Sequence, residues 1–192
     1  MTWFFQAVQG FAGNPVLDQL MLLVAELTVL LVPATLVYLW YQGEDGRKTS
    51  LYAFIAVLAG LAASYLVLGQ IVQHPSPYQE FETVVSGEPE NSFPSQHTAA
   101  VLGMILPLIW RKRRKLAYLF LGAGAATGFA RIYIGEHYLI DILGSAAAAA
   151  FGFAVTYLVY RYMDDYVEEL ADFGDRLEKK LLGPVRSALP GR

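Results

Sequence analysis

The sequence predicts an all-α fold, a polytopic transmembrane helix bundle of about five spans, and three observations carry that prediction. Of 192 residues, 55% are hydrophobic and only 16% charged, with a mean hydropathy of +0.39. Apolar runs of about 20 residues, the length that crosses a bilayer core, alternate with polar punctuation. The basic residues collect in alternate connections, as they do when one face of a membrane is favoured. The same figures exclude a disordered chain, a collagen-like fibre and a basic nucleic-acid binder, since the net charge is only -3. The absence of cysteine excludes a disulfide framework, a thiolate metal site and a cysteine nucleophile.

Ahead of the first span, Met1 to Gly13 carries Trp3, Phe4, Phe5, Val8 and Phe11 and no charged side chain. That composition suits an N-terminal interfacial helix, and it lacks the basic start of a secretory signal. The spans expected are Val16 to Tyr41, Thr49 to Val72, a short one from His97 to Trp110, Leu116 to about Ile134, and Tyr138 to Tyr160. Gly122, Gly124 and Gly128 in the fourth, and Ala146 to Ala150 in the fifth, are expected to let helices approach closely. After Arg161, acidic residues from Asp164 to Asp175 alternate with Val167, Leu170, Phe173, Leu177 and Leu181, the pattern of a solvated amphipathic helix or of a partner-binding one. The expected organisation is a membrane domain over 1–162 and a cytoplasmic amphipathic tail over 163–192.

Orientation follows from the 14 basic residues. Arg47 and Lys48 lie between spans one and two, Arg111 to Lys115 between spans three and four, and Arg161, Arg176, Lys179, Lys180, Arg186 and Arg192 after span five. These segments share one side, which the positive-inside rule makes the cytoplasm. The remaining basic residue, Arg131, falls at the outer end of span four.

Two clusters then meet on the outer face. Pro94 and Ser95 open span three, where unpaired backbone N–H groups either receive ordinary capping or attract an anion, with His97 beside them. Between spans four and five, His137 and Asp141 stand four residues apart, so on one helical face the carboxylate can hold one imidazole nitrogen and leave the other free as base or nucleophile. Arg131 either binds an anion there or pins the turn by pairing with Glu136 or Asp141. An anion site, an oriented nucleophile and a second imidazole are the parts needed for phosphoryl transfer without a metal.

At these residues the chain resembles a family. Pro94-Ser95-Gln96-His97 is similar to the Pro-Ser-Gly/Asp-His signature of the type 2 phosphatidic acid phosphatase superfamily, and Ala130-Arg131 through His137 to Asp141 matches its Ser-Arg-x5-His-x3-Asp signature in spacing. With Asn14-Pro15 and Glu90-Asn91-Ser92-Phe93 added, the text is most similar to the small bacterial undecaprenyl-diphosphate phosphatases. The resemblance implies a metal-independent phosphatase without cofactors, embedded in the plasma membrane, whose partners are a lipid phosphate or diphosphate and the bilayer. It implies that His137 attacks phosphorus to form a phosphohistidine, that Asp141 orients it, and that His97 protonates the leaving oxygen. Arg131 and the stretch of Ser95, Gln96 and His97 are then expected to hold the phosphate on the extracytoplasmic face.

One departure is large. The family's first motif has a Lys and an Arg-Pro, where this chain reads Gly69-Gln70-Ile71-Val72-Gln73-His74-Pro75. Both cations are missing, which leaves Gln70, Gln73, Ser76 and His74 as expected hydrogen-bond donors, neutral donors being about half as strong as charged ones. His74 could replace the arginine, the substrate could be a monophosphate such as phosphatidate, lysophosphatidate or phosphatidylglycerol phosphate, or the protein could bind lipid without turnover. A metal site built on Glu80, Glu82, Glu88 and Glu90 is a fourth reading, and it lacks a metal-ligand spacing.

Overall fold

The computed structural model describes the backbone of residues 2–188 and side chains through Lys180. Met1 and residues 189–192, the extremities of the expected interfacial segment and tail, lie outside the described residues. Among the described residues six α-helical elements make up the fold, α1 (Thr2–Gln9), α2 (Pro15–Trp40), α3 (Gly43–Ile71), α4 (Gln96–Trp110), α5 (Arg114–Ile134) and α6 (Leu139–Ala188), with a short 3-10 turn at Pro77–Gln79 between α3 and α4. Among the described residues the only β pairing is an isolated bridge between Pro75 and Asn91. Four helices, α2, α3, α5 and α6, are long and apolar enough to cross a membrane, and α4 is the shorter apolar helix expected from its sequence run.

Local chemistry sets the ends. Asn14 caps α2 by accepting from the N–H groups of Val16 and Leu17 at 3.1 and 3.2 Å, and Pro15 follows at the first helical position. Gly135, at φ 92°, ends α5 in the left-handed conformation that glycine adopts without a Cβ clash. α3 contains a π turn over Ser64–Leu68, one turn before it gives way to the long connection. Met163 leaves helical geometry inside α6 and bends the tail.

The helices pack through small residues, because lipid supplies no hydrophobic drive for association and close backbone approach is the available gain. α3 and α6 cross where Ala56 and Gly60 meet Ala148 and Gly152. A Cβ built on Gly60 would stand 3.1 Å from the Ala148 carbonyl, and one on Gly152 would collide with the Ala56 carbonyl. Gly124 and Gly128 of α5 likewise admit Leu102 and Ile142. Gly122 does not share this role: it has open space where its Cβ would be, because it sits on the outward face of α5. Of the alanine run, Ala148 and Ala149 are buried and Ala146, Ala147 and Ala150 face outward. One core cluster, with Val57, Val101, Met104, Leu108 and Phe120, fills the middle; another, with Ala25, Ile132, Tyr133 and Tyr138, lies towards the far end of α5. Outward faces carry Leu30, Leu66, Tyr118 and Leu158, as a lipid-facing surface requires.

The two ends of the bundle differ. At the basic end, Arg111 and Arg113 pair with Asp45, Arg47 with Asp175, and Lys48 with Glu168 at 2.7 Å, so the bent tail of α6 is tied to the start of α3. Tyr52 adds a hydrogen bond to Asp164. At the other end α1 lies against the bundle, burying Phe5 and Val8, while Gln9 donates to the Ile132 and Tyr133 carbonyls at 3.1 and 2.7 Å. The bond to Tyr133 satisfies a carbonyl of the last turn of α5, and that to Ile132 adds to the one it accepts from the Gly135 N–H.

Gly152→Ala is expected to destabilise the protein by about 1–3 kcal/mol, the usual range for overpacking, seen as a lower Tm in detergent. Gly122→Ala, which meets nothing within 4 Å, should not lower Tm and by helix propensity should raise it slightly.

Candidate active site

The connection from α3 to α4 is drawn back onto α3 by Asn91. Its Nδ2 donates to the carbonyls of Gly69 and Val72 at 2.7 and 2.9 Å, and its Oδ1 accepts from the N–H groups of His74 and Phe93 at 2.9 and 3.1 Å. One amide therefore satisfies four backbone groups at the end of α3 and along the connection, outside its short 3-10 turn at Pro77–Gln79. This sets Pro94 and Ser95 at the start of α4, and places His97 on its first turn.

Arg131 comes from the last turn of α5 and is 8% exposed. Its Nη1 donates to Oε1 of Glu26, on α2, at 2.8 Å, and its Nη2 pairs with Glu136 in the turn that follows. The expected alternative partner, Asp141, is not in contact with it in either ion pair. Glu26 reaches further: its Oε2 stands 3.6 Å from Nε2 of His97. Burial pushes the Glu136 carboxyl above the usual carboxylate range, against the pull of Arg131 and His137.

Asp141, one turn into α6, is fully buried. Its Oδ2 accepts from the Tyr138 N–H at 2.7 Å and lies 3.7 Å from Nδ1 of His137, while its Oδ1 is 2.8 Å from Nδ1 of His74. The four-residue spacing of His137 and Asp141 thus does place them together, as an electrostatic contact longer than a hydrogen bond. His137 is itself buried, with Nδ1 directed at the carboxylate, which leaves Nε2 as its other functional atom.

His97, Arg131 and His137 line one cavity of about 220 Å³, together with Gln96, Glu136 and Glu90. Three other expected binding residues lie elsewhere. The Ser95 hydroxyl is buried 3.0 Å from that of Thr98 and does not line the cavity, while its carbonyl accepts from Ser145 at 2.7 Å. His74 is turned to Asp141, with its ring 4.9 Å from that of Tyr138, because the buried carboxylate needs a second donor. Gln70 lines an adjoining cavity of about 360 Å³ with Ser64 and Gln73, and the two cavities share Glu90, Asn91, Pro94 and Gln96 as walls. Among the described residues, no group of three or more His, Asp or Glu side chains converges as a metal cage, Glu80, Glu82, Glu88 and Glu90 included.

Sequence reasoning missed two members of this constellation. Glu26 carried a signal, since a carboxylate within an apolar span usually has a functional partner. Asn91 entered only as part of the family resemblance, and nothing in the sequence pointed to its structural role, because its bonds go to backbone groups up to 22 residues away.

Chemically, the cavity offers one guanidinium, two imidazoles and the N-terminal turn of a helix to an anion, with a buried carboxylate behind one imidazole. The chain matches the PAP2 superfamily over residues 48–167. It is 32% identical over 164 residues to undecaprenyl-diphosphatase BcrC of Bacillus subtilis (strain 168), covering 83% of this chain and 82% of that protein. Among solved structures, Aquifex aeolicus LpxE is similar in fold, with a TM-score of 0.66 at 20% identity over 84% of this chain and 94% of that one. The first transmembrane PAP2-type phosphatidylglycerolphosphate phosphatase from Bacillus subtilis has a TM-score of 0.61 at 16% identity, over 84% and 87%.

Asp141→Ala should lower stability by about 1–3 kcal/mol, since it strands the buried Tyr138 N–H. Thermal unfolding in detergent reads this without any assay of function.

Proposed function

This chain belongs to the PAP2 superfamily, and we propose that it is a lipid phosphatase that hydrolyses a polyprenyl diphosphate, of the undecaprenyl class, to the monophosphate. The observation that carries this reading is that His97, Arg131 and His137 line one cavity with Asp141 behind His137. The choice of lipid rests on the similarity to an undecaprenyl-diphosphatase at 32% identity over most of both chains.

In this reading Nε2 of His137 attacks the terminal phosphorus while Asp141 keeps Nδ1 protonated and the ring in place. The bridging P–O bond breaks, His97 gives its proton to the departing lipid phosphate, and a phosphohistidine remains. Water then attacks phosphorus, His97 takes its proton, the P–N bond breaks, and inorganic phosphate leaves with His137 restored. Arg131 and the first N–H groups of α4 hold the equatorial oxygens, where charge develops. No metal ion is needed, because cation and helix turn supply the electrostatics. The active site opens on the extracytoplasmic face, a placement supported by the basic connections at the opposite end of the helices.

Purified protein should release phosphate from a prenyl diphosphate in the presence of EDTA. His137→Ala should abolish turnover, His97→Ala should reduce kcat by about 10²–10⁴-fold, and Arg131→Ala should reduce kcat/KM by about 10²–10³-fold. Turnover surviving His137→Ala would remove the nucleophile, and a preference for phosphatidate or phosphatidylglycerol phosphate in the same kcat/KM panel would replace the substrate. Binding without any turnover would leave a lipid-binding protein.

A further inference from the structure

Two groups that line the cavity, Arg131 and His97, already face an anion of the protein's own. Glu26 presents one carboxylate oxygen to Nη1 of Arg131 at 2.8 Å and the other to Nε2 of His97 at 3.6 Å. Those are the guanidinium and the imidazole that the hydrolysis reading assigns to the phosphate and its leaving oxygen. Glu26 is held there by the register of α2 on α5. Two residues further along α2, the Thr28 hydroxyl is 2.6 Å from that of Thr127, which lies one turn before Arg131 on α5. Its neighbour Ala25 is buried, yet the Glu26 side chain is 51% exposed, against 23% for Glu136 on the other arm of the guanidinium. Of the two carboxylates on Arg131, Glu26 is therefore the one free to swing away.

We propose that Glu26 is a resident counter-ion that a substrate phosphate must displace, and that it makes the site selective for dianionic terminal phosphates over monoanionic phosphodiesters. The inference rests on the hydrolysis reading above and deepens its substrate class. A phosphodiester brings a single charge, so exchanging it for the Glu26 carboxylate gains no charge and replaces one charge-assisted hydrogen bond with another. A terminal phosphate brings nearly two charges and three acceptor oxygens, enough to engage Arg131 and His97 together. The distinction matters at a bilayer surface, where phosphodiester headgroups vastly outnumber any lipid diphosphate. Two further carboxyl groups, Glu90 and Glu136, line the cavity. They add to the repulsion of an anion that cannot take Arg131 for itself.

The test is turnover of a short-chain prenyl diphosphate in detergent micelles doped with increasing phosphatidylglycerol, a monoanionic phosphodiester. Wild type should be nearly insensitive, and Glu26→Gln should be competitively inhibited, with a Ki lower by about tenfold or more. Equal insensitivity in Glu26→Gln overturns the proposal. A fall in kcat with unchanged inhibition also overturns it, making Glu26 a structural or positioning partner of His97. If Glu26→Gln cannot be recovered, Glu26→Asp, whose shorter side chain cannot span both partners, should show intermediate sensitivity, and wild-type insensitivity there overturns the proposal. Absence of turnover in wild type would instead defeat the hydrolysis reading; inorganic phosphate should then still raise the Tm of Glu26→Gln at lower concentration than that of wild type, and equal shifts would sink the role of Glu26.

Discussion

A carboxylate with no access to water, inside a helix surrounded by apolar side chains, is the constraint on which the site end of this molecule depends. Asp141 cannot stand unpaired there without a penalty of several kcal/mol. It therefore draws three partners from two places in the chain: the Tyr138 N–H and His137 in the turn before α6, and His74 from the connection after α3. Each partner brings its segment along. The turn fixes the end of α5 and thus Arg131; the connection, gathered by Asn91, fixes the start of α4 and thus His97. A single buried charge in this way converts separate helix ends into one cavity.

Much of this was legible in the sequence, for reasons that can be stated. The length of the apolar runs fixed the helices, and the distribution of Arg and Lys fixed which connections share a side. A spacing of four brought His137 to Asp141 because both lie at the start of one helix, where the distance along the chain determines the distance in space. The convergence of His97, Arg131 and His137 was implied once three helix ends were assigned to one face.

What could not be read is what crosses from one helix to another. Periodicity gives a helix a buried stripe without saying which neighbour the stripe meets, so the contact of Glu26 with Arg131 and His97 depends on how α2 is rotated against α5. The same limitation explains His74. Its place beside the missing cations suggested a phosphate ligand, but the need of Asp141 for a second donor turned it away from the cavity. Gly122 looked equivalent to Gly124 and Gly128 in the sequence; two residues is more than half a turn, and it faces outward.

The two ends of the bundle are fastened by different physics, and they answer differently to their surroundings. Among the described contacts, the basic end relies on Arg47, Lys48, Arg111 and Arg113 pairing with carboxylates that are in part open to water, and such pairs fade as dissolved ions crowd around them. The far end relies on a shielded carboxylate and on uncharged amide bonds to backbone, which screening by dissolved ions barely weakens, and among its ion pairs only those of Glu26 stand half open to water. Brine would accordingly loosen the bent tail of α6 while the buried Asp141 and its partners stay assembled at the opposite pole.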